Sequence, residues 1–307
     1  MISTVSEYVQ KNPKLALYAE HMNTLMIDND TILGEFKNMI SQKYEHHRPR
    51  LLILLGNPSL LLRDEYRELW GDIPIVLCSE EKFIGPKDTY IYKQPVTQAE
   101  RVPISQLADP YNLVLLYSNL YLRENIQLIS HIIPDMKKFI FIGDEREVNQ
   151  TNNQEIQTKL KTINPNIEYQ YITPQKMTTN QLLDSLYHVD PNTTGILFAS
   201  WFYKTTFAGN TSLVTNAHKL IVTTTAPIFT LNMADITEEN GGMIGGYTYD
   251  QKHYNQQLIH TIQKYLQESR LEKFPFICHQ MAHLLSTIRY YSVKDSLLPC
   301  VLQTHIF

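Results

Sequence analysis

The sequence predicts an α/β protein of two Rossmann-like lobes, each a parallel sheet wound by helices, joined by hinge crossings. Three observations carry this expectation. Short continuous apolar runs such as Leu51–Leu55 (LLILL) and Leu113–Tyr117 (LVLLY) recur along the chain, as in strands covered on both faces. Between them lie stretches whose apolar residues return at helical spacing, and this alternation repeats several times. The 307 residues exceed one ordinary domain and suit two lobes of about 100–150 residues each.

Taken in order, Val5–Gln10 reads as the end of a helix, stopped by Asn12-Pro13 because proline cannot continue the hydrogen-bond ladder. A strand is expected at Leu15–Ala19. Ile32, Phe36, Met39 and Ile40, after Asp28-Asn29-Asp30, predict an amphipathic helix ending near Tyr44. Strand Leu51–Leu55 closes on Gly56-Asn57-Pro58-Ser59, a turn placed where a ligand loop would sit. A helix over Leu60–Trp70 and a buried strand over Ile73–Cys78 follow, the latter ending in Ser79-Glu80-Glu81. The proline-rich stretch 82–112 allows one short strand at Thr89–Tyr92. After strand Leu113–Tyr117, Leu122, Ile126, Ile129 and Ile133 share a helical face up to Pro134, and strand Phe139–Ile142 closes on Gly143-Asp144-Glu145. Helix Asn153–Lys161, strand Glu168–Ile172, helix Thr179–Tyr187 and strand Gly195–Ala199 continue the pattern, running into Ser200-Trp201-Phe202-Tyr203. A helix over Thr211–Val222 and strand Ile228–Leu231 complete the second sheet. Tyr254, Leu258, Ile262 and Leu266 mark a long helix. The tail predicts a short strand from Phe274, a helix through Met281–Ile288 and a turn at Leu298-Pro299.

The stretch Ile228–Asp250 organises the rest. A short apolar run ends in a polar cluster, and then Gly241, Gly242, Gly245 and Gly246 place four of the chain's eleven glycines within six residues. Glycine tolerates close approach of other backbone, so the cluster predicts a strand end, a cleft loop and a return crossover between lobes.

Hydrophobic content of 43% and charged content of 19% describe a globular chain, and no apolar run of eighteen residues could span a membrane. Formal net charge is −4 without a lysine- or arginine-rich tract, which argues against a nucleic-acid partner. Cys78, Cys278 and Cys300 are too few and too scattered for a disulfide framework or a four-cysteine zinc site. The start lacks the positive and apolar regions of a signal peptide.

Enzyme chemistry finds little footing. There is no G-x-G-x-x-G after an early strand, no G-x-x-x-x-G-K-[ST] and no G-x-S-x-G, so no catalytic residue and no cofactor is assigned. His279 and His283 stand four apart beside Cys278, but the zincin glutamate is missing and an ordinary amphipathic helix is the simpler reading, so no metal is assigned. Glu80-Glu81 and Asp144-Glu145 are local pairs that equally suit helix N-termini. Trp201, Phe202 and Tyr203 meet a strand's carboxyl end, where aromatics stack on a small organic ligand; covering the gap between helix and sheet is their alternative role. Asn57, Ser59, Ser79, Asn119, Asp144, Ser200, Asn232, Asp235 and Tyr247 supply polar groups at equivalent edges. Tyr117, Gly242, Gly245 and Gly246 are expected at the crossings. The inventory favours binding without chemistry.

Six stretches carry a resemblance: LALYAEHMNT (15–24), RPRLLILLGNPSLLLRDEY (48–66), IPIVLCSEE (73–81), LRENIQLISHIIPDMKKFIFIGD (122–144), APIFTLNMADITEENGGMIGGYTYD (226–250) and YYSVKDSLLP (290–299). In their order and spacing the chain resembles the ABC-transporter substrate-binding-like proteins of type I periplasmic-binding fold. More closely it is similar to the extracytoplasmic sensor domain that bacterial sensor histidine kinases, often hybrid two-component kinases, share with that family. The resemblance implies lobe one at 1–117 plus 247–307, lobe two at 118–246, and a small-molecule ligand between them. It further implies partners in the kinase modules of the parent chain or another sensor subunit, and a periplasmic location in a parent anchored to the inner membrane. A free substrate-binding protein of an ABC importer is the alternative. Family members begin with an extra strand and helix, so Met1 is expected to lie inside that first helix, with a strand of lobe one missing.

Overall fold

A computed structural model describes residues 1–221, 223–224, 226–232, 243–267, 277–278 and 282–286. In chain order the elements are α1 (Ile2–Gln10), α2 (Asp30–Tyr44), β1 (Leu52–Leu55), α3 (Arg63–Trp70), β2 (Ile75–Ser79), β3 (Phe83–Ile84), α4 (Lys87–Ile91), β4 (Val102–Pro103) and β5 (Leu113–Tyr117). They continue with α5 (Leu122–Ile132), β6 (Lys138–Ile142), α6 (Glu147–Ile163), β7 (Glu168–Ile172), α7 (Thr179–Tyr187), β8 (Thr194–Phe198), β9 (Tyr203–Phe207) and β10 (Asn210–Val214). The last are α8 (His218–Ile221), β11 (Ile228–Thr230), β12 (Gly245–Tyr249), α9 (Gln251–Gln267), β13 (Ile277–Cys278) and β14 (Ala282–Ser286). The expected class holds: α/β with parallel sheets.

The chain divides into two compact units, Met1–Asn119 with Tyr249–Met281, and Leu120–Thr248 with the segment from Ala282. The first unit thus runs to 119 and resumes at 249, against the expected boundaries after 117 and 246. All of 247–307 is expected in lobe one, whereas β14 lies beyond β12 in the second sheet.

In the first unit the described strands run β1-β2-β5-β13 and pair in parallel. Side chains alternate across a strand, so a run buried on both faces must be apolar throughout. Accordingly Ile75 and Leu77 of β2 pack with Leu33 and Ile40 of α2 and Tyr66 and Trp70 of α3. Val76 and Cys78 face the other way, onto Val5 of α1 and Tyr254, Leu258 and Ile262 of α9.

In the second unit the order is β14-β12-β11-β8-β6-β7. Phe139 and Phe141 of β6 pack against α5 and α6 through Ile126, Ile129, Ile156 and Leu160. Ile140 and Ile142 pack against Leu182 and Leu186 of α7. After β6 the chain goes to one side to make β7, then returns over β6 to make β8 on the other. Helices α6 and α7 therefore pack on opposite faces, and the chain leaves β6 and β8 toward opposite edges of the sheet. Such a reversal of strand order opens a crevice beyond the carboxyl ends of the two strands.

Four expected elements differ. Leu15–Ala19 forms no strand: Tyr18 is 66% exposed, and its ring meets Tyr44 of α2 edge-on. Thr89–Tyr92 falls largely in helix α4, where Pro86 at the N-cap sets a helical start that outweighs the β propensity of Thr-Tyr-Ile. Thr211–Val222 is mostly a hairpin, β9 paired antiparallel with β10, ahead of the short α8. Its two-residue turn has φ of 50° at Ala208 and 83° at Gly209, the left-handed pair that a tight hairpin requires. In place of the helix expected through Met281–Ile288, residues 282–286 form β14, where sheet pairing overrides local periodicity.

Candidate functional site

At the crevice between β6 and β8, the loop after β6 supplies Asp144 and Arg146, helix α6 supplies Asn149, and the loop after β8 supplies Ser200 and Phe202. Asp144 has a wholly buried side chain. A buried carboxylate must be matched by donors. Asp144 Oδ1 accepts from Arg146 N (3.0 Å), Arg146 Nε (2.9 Å) and Asn149 Nδ2 (2.9 Å), while Oδ2 accepts from Ser200 Oγ (2.7 Å) and Arg146 Nε (3.1 Å). Ser200 Oγ in turn accepts from Arg146 Nη2 (2.9 Å) and Asn149 Nδ2 (2.8 Å). Tyr171 of β7 donates to the Asp144 carbonyl at 2.8 Å, and burial first, then the Asp144 charge, pushes its hydroxyl well above the usual tyrosine range.

Arg146 is the partly open member of this knot, its side chain 33% exposed. Its guanidinium carbon lies 4.6 Å from the centre of the Phe202 ring, within cation–π range. The arrangement can orient a cation and fix its plane.

Trp201 stands apart from its neighbours. It is 1% exposed within the cluster of Ile142, Phe198 and Leu182, and its Nε1 donates to Thr179 Oγ1 at 3.0 Å. The expected stacking of Trp201 on a ligand gives way to covering the gap between α7 and the sheet. Asn232 is exposed beyond β11, its backbone N–H bonded to Thr230 Oγ1 at 3.0 Å. Tyr247 lies within β12 and not in a loop; its N–H donates to Asn125 Oδ1 (2.8 Å) and its carbonyl accepts from Asn125 Nδ2 (2.9 Å). Gly245 and Gly246 open β12. At Gly246 an added Cβ would sit 2.2 Å from the Thr230 carbonyl oxygen, so close packing requires glycine there. Asp235 and Gly242 lie outside the described residues, as do the side chains of Cys278, His279 and His283.

The residues expected at the first sheet form a different group. Asn57 is buried, with Nδ2 donating to Glu81 Oε2 (3.0 Å) and the Phe83 carbonyl (2.6 Å), and Oδ1 accepting from Ser79 Oγ (2.6 Å). Both amide hydrogens are engaged, so Asn57 presents no donor outward. Ser79 Oγ also accepts from Glu81 N (3.0 Å), and Ser59 turns back onto the Gly56 carbonyl (2.6 Å). Tyr117 carries Lys82 Nζ over its ring at 4.6 Å, and its hydroxyl reaches Asn119 Oδ1 at 3.4 Å.

No protein-family model and no curated protein matches the chain. Among solved structures, it is similar to an ABC domain in complex with L-Trp from Streptococcus pneumoniae, at 10% identity, with 77% of this chain and 72% of that one covered and a TM-score of 0.46. A conserved domain protein from Vibrio cholerae matches at 13% identity over 76% of this chain and 69% of that one, with a TM-score of 0.44. A xylose-binding transcription activator matches at 13% identity over 88% and 68%, with a TM-score of 0.45.

Of the residues expected along one cleft, Asp144, Ser200 and Phe202 lie together here, joined by Arg146 and Asn149, which the sequence pattern does not single out. The available signal was spacing: a carboxylate after a strand, an arginine two residues later and an asparagine five residues later can all face one side of a helix start. Among the described residues, no group of three or more His, Cys, Asp and Glu side chains could hold a metal ion.

Proposed function

We propose that the chain is a small-molecule ligand-sensing domain of a membrane sensor histidine kinase in two-component signal transduction, of type I periplasmic-binding kind. The ligand is seated beyond the carboxyl ends of β6 and β8, on the extracytoplasmic side of the inner membrane. One observation carries the reading. At the strand-order reversal, a buried polar knot holds the partly open Arg146 guanidinium against Phe202, an arrangement suited to recognition. The sequence resemblance supports the sensor role. A ligand moves such a domain between two states only by the difference in its affinity for them, and that difference is the signal.

The test is a thermal-shift screen of neutral sugars, free amino acids and small organic acids. A saturable stabilisation that Phe202→Ala weakens at least tenfold in ligand concentration supports the reading; full binding by that variant overturns the placement. The flanking coding sequence tests the sensor role. An in-frame membrane segment followed by kinase modules supports it, whereas a lipoprotein signal with a stop near Phe307 replaces it with an importer's binding protein.

A further inference from the structure

We propose that this site takes its ligand through a carboxylate, received in the outer fork of the Arg146 guanidinium. The inference rests on the ligand-binding reading above and adds the chemical class. A guanidinium has five N–H donors and two edges that can grip a planar anion with parallel hydrogen bonds. The edge formed by Nε and Nη2 is engaged inward, Nε on Asp144 at 2.9 Å and Nη2 on Ser200 at 2.9 Å. The second edge, Nη1 with the remaining Nη2 hydrogen, makes no hydrogen bond among the described residues. It belongs to a side chain one third exposed beyond the carboxyl ends of β6 and β8.

Three further features suit this edge to a carboxylate. Asp144 is surrounded by donors from Asn149, Ser200 and the Arg146 backbone as well as the guanidinium, so its charge is shared and not matched by Arg146 alone. Phe202 covers one face of the guanidinium, which fixes its plane and lowers the local dielectric. One oxygen of the Glu147 carboxylate, next in sequence, is turned along α6 to accept from Thr151 Oγ1 at 3.0 Å, and no hydrogen bond joins it to the Arg146 guanidinium among the described residues. A bidentate charged pair in such a setting is stronger than a neutral hydrogen bond and discriminates against neutral analogues.

The experiment is calorimetric titration with matched probes that differ only in charge: benzoate against benzamide, 3-phenylpropionate against its amide, and L-phenylalanine against L-phenylalaninamide, with D-glucose and inorganic phosphate as further arms. The expected result is that at least one carboxylate binds about tenfold or more tightly than its amide. Arg146→Lys, which keeps the charge and loses the fork, should weaken that preference. Because Arg146→Gln alone strands a buried carboxylate, the double variant Asp144→Asn with Arg146→Gln checks the assignment in a neutral knot; it should fold and bind acid and amide alike. Equal binding of acid and amide by the unaltered chain, binding of glucose or phosphate alone, or an undiminished acid preference in Arg146→Lys each overturns the carboxylate assignment while leaving a ligand site in place. Silence from every probe and from the broader screen overturns the ligand-binding reading and the inference with it.

Discussion

At the ends of β1 and β2 in the first unit, Asn57 directs both amide hydrogens inward, and Ser79 and Glu81 complete a closed set of bonds. At the ends of β6 and β8 in the second unit, the same kinds of residue hold an arginine whose outer edge stays open. The difference follows from strand order. The described strands of the first sheet run in sequence order, whereas β7 and β8 flank β6 in the second. Polar residues at a strand end can serve either to seal a loop or to aim a group outward, and the topology around them decides which.

The chain's two tryptophans, Trp70 and Trp201, fall one in each unit, so the variants Trp70→Phe and Trp201→Phe let fluorescence follow each unit separately. Asp144→Ala should produce the largest loss, about 3–4 kcal/mol, because it leaves Arg146, Asn149 and Ser200 without their buried acceptor. Its urea midpoint should fall in the Trp201 signal. Asn57→Ala, which removes neutral bonds and one to a carboxylate, should cost about 2 kcal/mol in the Trp70 signal. Equal losses would erase the contrast between the two knots. Gly246→Ala should cost the second unit about 3 kcal/mol, since its methyl meets backbone that cannot move aside. An unchanged midpoint would place the Thr230 carbonyl further away than it is here.

The first unit also carries an alkaline limit of its own. Burial pushes the Cys78 thiol up to about 11, against about 8.5 when unfolded. A raised acid favours the folded state below the unfolded value, and that stability is lost as pH rises through about 11. In a chain carrying C278S and C300S, the Trp70 midpoint should fall over this window and the fall should be shallower in Cys78→Ala. Parallel pH profiles would remove the thiol from the account. Ala208→Asn should give the smallest effect, a gain of about 0.5 kcal/mol in the Trp201 signal, because asparagine tolerates the left-handed turn better than alanine.

The strands buried on both faces were the most legible part of the sequence, since Ile75–Cys78 and Phe139–Ile142 admit no polar residue on either side. The hairpin was not. Leu213, Ala217, Leu220 and Ile221 imitate a helical stripe, whereas the chain reverses at Ala208-Gly209 and pairs Asn210–Val214 with Tyr203–Phe207. At the site, Asp144, Ser200 and Phe202 were legible as residues that follow strands. Arg146 was not, because its role comes from Ser200, 54 positions away, and from the topology that places the two loops together. Trp201 shows the opposite error: a residue in the right loop can point into the core.

Asn125 holds the N–H and the carbonyl of Tyr247 with the two ends of one carboxamide, as a neighbouring strand would hold them with its own main chain. The side chain of a helix thus substitutes for a missing length of sheet. An exchange as small as Asn125→Asp, one nitrogen for one oxygen, would set two acceptors face to face in a dry interior, so this position is closed to the mildest chemical drift.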